Sequence, residues 1–171
     1  MEDRINAMQT DAIAAIVDQW KHERPDLDAT PMLVIGRLFR LTGLLDERLR
    51  PPFAAADLGN GDFDVLAALR RSGAPYALPA GELSRTLLVT TGAITKRVDR
   101  LEARGLVSRS VAASDSRGRR IALTADGVTL ADDLIAAHLT NQRHLLAGLS
   151  DEEAAHLASL LERLTATLAT D

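Results

Sequence analysis

Residues 90–127 read TTGAITKRVDRLEARGLVSRSVAASDSRGRRIALTADG, and this stretch decides the fold. Its first part has the spacing of a helix over 90–104. At 100° per residue, with Ile94 at zero, Val98 falls at about 40° and Leu101 at about 340°, so these three share a core-facing side. Gly92, Lys96, Asp99 and Arg100 fall between about 140° and about 240° and face outward. Thr95 flanks that outer face, and Arg97, at about 300°, sits beside the apolar stripe. Gly105 stands where a helix takes a left-handed closing residue. Two short alternating runs, 106–111 and 119–123, flank the turn-rich stretch 113–118 and predict a β-hairpin. Thr124 then caps a long helix over about 125–148.

Helical periodicity continues on both sides. Ile13, Ile16, Val17 and Trp20 recur at i, i+3, i+4 and i+7 behind Thr10 and Asp11, an N-cap signal, and Pro25 ends that helix. Thr30 and Pro31 open a second helix with the apolar stripe Met32, Ile35, Leu38, Leu45 and Leu49, halted by Pro51 and Pro52. Gly59, Asn60 and Gly61 read as a turn. Phe63, Leu66 and Leu69 share one face of a short helix closed by Ser72 and Gly73, and Pro79 starts another reaching about Leu87. Ser150 with Glu153 forms a capping box that opens a last helix to about 168. A helix-turn-helix followed at once by a β-hairpin is the plan of a winged helix. The flanking helices are too long and too apolar to need only that small domain as a partner. The expected fold is therefore mainly α with a small β-wing: N-terminal helices over 1–50, a winged helix over 51–124 and C-terminal helices over 125–171, the outer helices serving dimerisation.

Composition bounds the function. The 171 residues are 46% hydrophobic and 26% charged, enough for one domain with a real core or one domain with dimerising arms. The absence of cysteine excludes a disulfide scaffold, a thiol nucleophile and a thiolate zinc site. The longest unbroken apolar run, 12–17, is far short of a membrane span, and the acidic start lacks the apolar core of a signal peptide. These features lead to the expectation of a soluble cytoplasmic protein with no membrane partner. His22, His138, His144 and His156 form no metal-binding pattern; His138 and His144 lie about 240° apart around their helix. No Gly-rich phosphate loop, nucleophile motif or metal spacing is present, so neither an enzyme nor a resident cofactor is expected.

The charge distribution points to nucleic acid. Residues 84–120 hold nine of the 20 Lys and Arg against three acids, a local +6 in a chain of net −4. One basic patch on an acidic body is the electrostatic footprint of a DNA reader. The chain holds few aromatics (Trp20, Phe39, Phe53, Phe63 and Tyr76), which argues against binding single strands by base stacking.

The motif residues Val98, Leu101, Glu102, Gly105, Leu106, Val107 and Arg109, then Asp115 and Arg117, then Leu123, Thr124 and Gly127, resemble the recognition helix and wing of MarR-type transcription factors. The pattern spans about 30 residues at fixed spacing, and the outer helices also fit the family plan. The resemblance implies a ligand-responsive regulator of the repressor type, working as a homodimer on a palindromic duplex operator, with 90–104 in the major groove and the wing tip in an adjacent minor groove. On this reading Thr90, Thr91, Thr95, Lys96 and Arg100 meet the duplex from the helix. Arg117, Arg119 and Arg120 meet it from the wing, with Asp115 orienting an arginine.

A finer resemblance, carried by 20–45 and by DFDVLAAL at 62–69, is to the branch with an extra N-terminal helix whose members include urate-responsive repressors. It implies a small anionic effector bound by Trp20, Asp64, Arg97 and Arg109, the effector's identity not carrying over. The angular position of Arg97 fits independently: half inside, it needs a carboxylate such as Asp64 or an anionic ligand. Two other readings stay open at this point. Arg97 and Asp64 form a structural ion pair, and Trp20 is core or dimer filler. The rival function is a helical protein-interaction module whose winged helix does not bind DNA.

Overall fold

The computed structural model describes residues 11–112 and 115–169, with side chains described except at 60 and 111–119. The chain divides into two compact units, Met1–Arg48 and Leu49–Asp171.

In the first unit, helix α1 spans Ala12–Glu23 and is capped by Asp11, whose carboxylate accepts the Ala14 amide at 3.0 Å. Thr10, the other expected capping residue, lies outside the described residues. Helix α2 spans Pro31–Leu49. At the expected cap, the hydroxyl and amide of Thr30 both donate to Asp28. Arg37 of α2 pairs with Asp11, and a Cβ on Gly36 would meet the Ile13 side chain at 3.0 Å, so the two helices approach closely there. Yet α2 contains no buried residue along its 19 positions. Val34, Ile35, Phe39, Leu41 and Leu44 are all exposed.

In the second unit, α3 (Pro51–Ala55) was not anticipated from sequence: the prolines read as a stop, but proline is tolerated in a helix's first turn. Helix α4 runs Asn60–Arg71, so Asn60 and Gly61 are its first turn and not a free-standing turn. Strand β1 (Ala77–Pro79) precedes α5 (Ala80–Thr86) and α6 (Thr91–Ala103). The hairpin is β2 (Val107–Ala112) and β3 (Asp115–Leu123), with β3 starting earlier than its apolar alternation suggests. Helices α7 (Ala125–Leu145) and α8 (Asp151–Leu168) close the chain, the second opened by the expected Ser150–Glu153 capping box.

The three strands form an antiparallel sheet in the order β1-β3-β2, with Leu78 opposite Ile121 and Arg109 opposite Ile121 from the other side. The core lies between α4, α5, α6, the sheet and α7. Leu66, Leu69, Leu83, Ile94, Val98, Leu101 and Ile121 are its largest fully buried residues together with Val65. Each such side chain contributes about 1.5–3 kcal/mol by burial. Phe53 stacks on Phe63 at 4.2 Å, and His138 of α7 tilts against both rings, joining α7 to α3 and α4. Gly127 sets the start of α7: a Cβ there would stand 1.9 Å from the Leu106 carbonyl oxygen. That same oxygen accepts the Thr124 amide at 3.1 Å.

Candidate nucleic-acid interface

Helix α6 carries its buried side, Ile94, Val98 and Leu101, at the spacing expected from the sequence. Thr91, Gly92, Thr95, Lys96, Asp99 and Arg100 are exposed, and Arg97 is intermediate. The Thr90 hydroxyl accepts the Ala93 amide at 3.3 Å, which occupies it as the N-cap. The Thr95 hydroxyl donates to the Thr91 carbonyl at 3.0 Å. Lys96 makes no ion pair among the described residues, so its charge faces solvent uncompensated. The turn before α6 is clamped by Ser84, whose hydroxyl donates to the Val89 carbonyl at 2.6 Å while its own carbonyl accepts the Val89 amide. The result is a fixed helix with a small-residue N-terminus, a geometry that lets backbone and side chains approach phosphates and base edges.

The arginines of α6 differ in their commitments. Arg100 is 57% exposed in its side chain but forks onto Asp62 of α4, with Nη2 to Oδ1 at 2.6 Å and Nε to Oδ2 at 3.3 Å. Asp62 is itself buried and accepts the Gly59 amide at 3.2 Å. The hydrogen bond to Asp62 raises the pKa of Arg100 above its ordinary value. Sequence reasoning missed Asp62. Its position three residues after Gly59 was a helix-opening signal, hidden by reading 59–61 as a turn. Arg104 donates to the carbonyls of Asp57 and Ala56, fastening the end of α6 to the α3–α4 connection.

Arg97 turns the other way. Its guanidinium occupies the space over Gly61, where a Cβ would come within 2.4 Å of Cζ and Nε. Nη1 is buried and makes no hydrogen bond; it lies 4.0 Å from Asp64 Oδ2. Partial desolvation raises the Asp64 carboxyl above its ordinary pKa although half of its side chain stays exposed, with the charges of Arg97, Arg71 and His138 pulling the other way. A cationic nitrogen withdrawn from water with only a distant carboxylate is a ready anchor for an anion. Arg109 does not join this pair. Its guanidinium bridges Asp99 and Glu102 at 2.5 Å each, and its amide donates to Glu102 at 3.1 Å, bolting β2 to α6. Burial alone would lower its pKa, but the two carboxylates outweigh that and the net direction is up. Trp20, half exposed on α1, belongs to the first unit.

On the wing, the side chains of Asp115, Arg117 and Arg119 lie outside the described residues. Arg120 is described: Nη2 donates to the Ala77 carbonyl at 3.0 Å and ties β3 to β1, so one of its donors is spent on the sheet. Among the described residues no His, Asp and Glu cluster suited to a metal ion occurs, and no helix is long and apolar enough to cross a membrane.

Comparison with known proteins agrees with this arrangement. The sequence model of the MarR family matches residues 56–118, which span α4 through most of the hairpin. The chain is 41% identical over 152 residues to the HTH-type transcriptional regulator PecS of Dickeya dadantii, covering 89% of this chain and 92% of that one. Among solved structures it is similar to a point mutant of MarR from E. coli complexed with operator DNA, at 25% identity and a TM-score of 0.67, over 85% of this chain and 96% of that one. The fold is also that of AbsC from Streptomyces coelicolor, a MarR-family regulator, at 20% identity and a TM-score of 0.75, over 85% of this chain and 98% of that one.

Proposed function

The chain belongs to the MarR family of transcriptional regulators, and from that premise we propose that it is a repressor: a homodimer on a palindromic duplex operator, released by a small anionic effector. The observation that carries the DNA part is the exposed face of α6. Thr91, Thr95 and Lys96 point to solvent from a helix whose opposite side is locked into the core by Ile94, Val98 and Leu101. With the hairpin placed immediately after α6, such a helix fits a major groove and the wing reaches a neighbouring groove. Arg100 reads or grips the duplex only by sharing its guanidinium with Asp62. Arg117 and Arg119 act from the wing. The likeness to MarR bound to operator DNA supports this reading over a protein-interaction module that has lost DNA binding.

Dimerisation follows from apolar surface without a partner. Helix α2 leaves Ile35, Phe39 and Leu44 exposed, and α8, which buries no residue, leaves Leu157, Leu160, Leu161 and Leu168 exposed at helical spacing. Two long helices in that condition are stable in water when a second copy covers them.

The effector is anchored at Arg97, whose buried Nη1 lacks a hydrogen bond. An arriving anion takes that nitrogen and repels Asp64, and both side chains stand on helices that set the position of the duplex-reading surface. DNA affinity falls by the effector's preference for the non-binding arrangement, and DNA weakens the effector by the same factor. A thermal-shift screen of small anionic metabolites, followed by titration of the protein–duplex complex with each hit, tests this. Wild type releases DNA and Arg97→Ala does not; release of both at one effector concentration would show that Arg97 is structural.

A further inference from the structure

Leu88 is the most conspicuous misfit in the second unit. It lies in the turn between α5 and α6 with φ at +54°, a left-handed conformation that burdens a residue carrying a Cβ and a branched side chain. It is also 93% exposed, while its neighbours Leu87 and Val89 pack against the core. The turn is not loose. Ser84 holds Val89 from two sides, and the Leu88 amide donates to the Arg85 carbonyl at 3.2 Å. The fold therefore spends a strained backbone and a bare leucine at one fixed point, two residues before the N-cap of α6. Glycine would suit that backbone better, and a polar residue would suit that exposure better.

We propose that Leu88 is a specificity-determining residue whose side chain packs on the 5-methyl group of a thymine in the major groove beside the N-terminus of α6. This rests on the duplex-reading role proposed above. The surroundings select the occupant. Of its neighbours in sequence, Arg85, Thr86, Thr90 and Thr91 are exposed and polar, while Leu87 and Val89 are half-buried against the core, so Leu88 is the one fully exposed apolar side chain of the turn. A protein partner needs a contiguous apolar patch, which this is not. The major groove presents the complementary feature: the thymine methyl is the one apolar group among the donors and acceptors of its base edges. Lys96 offers no apolar contact, and a threonine methyl is a smaller one, so Leu88 is the larger apolar group this face presents to a base edge.

The test starts from duplexes selected by the full-length chain out of a random library. In the best site, each thymine is replaced in turn by deoxyuridine, which lacks only the methyl. Wild type should lose about fourfold in affinity per half-site at one symmetry-related pair of positions, the fold-change for exposing one methyl-sized group. Leu88→Gly should melt at a higher temperature, bind the thymine site as weakly as wild type binds the uracil site, and be indifferent to the replacement. Leu88→Ala, which keeps the strained backbone, should lose the same discrimination without the rise in melting temperature. Indifference of wild type to every replacement overturns the proposal. So does an affinity loss in Leu88→Gly that leaves thymine discrimination intact, which would mark a sugar contact. Failure of wild type to select any duplex overturns both this inference and the reading beneath it.

Discussion

The guanidinium of Arg97 stands where a side chain on Gly61 would stand: a Cβ there would lie 2.4 Å from Cζ and Nε and 2.7 Å from Nη2. The glycine is what lets an arginine of α6 lie against the first turn of α4, 36 positions earlier in the chain. Because the obstructing atoms are the far end of a flexible side chain, Gly61→Ala should move Arg97 without breaking the fold. Stability should change by less than about 1 kcal/mol, while the response of the DNA complex to an anionic effector is lost. Chemical denaturation and an effector titration on the same preparation check the two halves separately.

Gly127 gives the opposite outcome. There the obstruction is the backbone oxygen of Leu106, at 1.9 Å, and backbone held by the Thr124 amide cannot swing aside. Overpacking of this kind costs about 3 kcal/mol. Gly127→Ala should therefore lower the melting temperature by roughly 10 °C, given about 2–4 °C per kcal/mol for a chain of this size. A melting temperature within a degree or two of wild type would contradict the packing at the start of α7.

Much of this was legible in the chain and some was not. The inward set Ile94, Val98 and Leu101 and the half-inward Arg97 follow from angular position alone, because a 3.6-residue period leaves little choice. Strand β1 was not legible: Ala77, Leu78 and Pro79 show no alternation, and only pairing with Ala122, Ile121 and Arg120 makes them a strand. Nor was the Arg100–Asp62 fork, whose partners are 38 positions apart and meet only when α4 packs on α6. Angular position correctly put Arg100 outside, but it carries no information on which carboxylate lies across the helix boundary. The same holds for Arg109, which the family likeness associates with ligand and which the structure fastens to Asp99 and Glu102.

Asp64 should make stability depend on pH in a definite direction. Partial desolvation raises its pKa in the folded state, so folding favours the protonated acid. Its contribution is fully present below the unfolded carboxyl value and is lost as pH rises through the raised folded value. At pH 7 the ionised form is the less favoured one in the folded state, and Asp64→Asn should raise the melting temperature there by a small amount, because the half-exposed carboxylate is screened by solvent. The difference between the two proteins should shrink as pH falls through the carboxylate range. Calorimetry at neutral and acidic pH checks this; an Asn variant less stable at pH 7 would show that the pull of Arg97 outweighs burial.

That α6 and the wing read duplex DNA is tested most directly by the salt dependence of binding. Affinity of the full-length chain for a duplex selected from a random library is measured between about 50 and 200 mM salt, for wild type, Lys96→Ala and Arg117→Ala. The expected result is a straight, steeply falling line of log affinity against log salt for wild type, with a slope shallower by about 1 in each variant that has lost a phosphate contact. A flat line, or three superimposable lines, would contradict it.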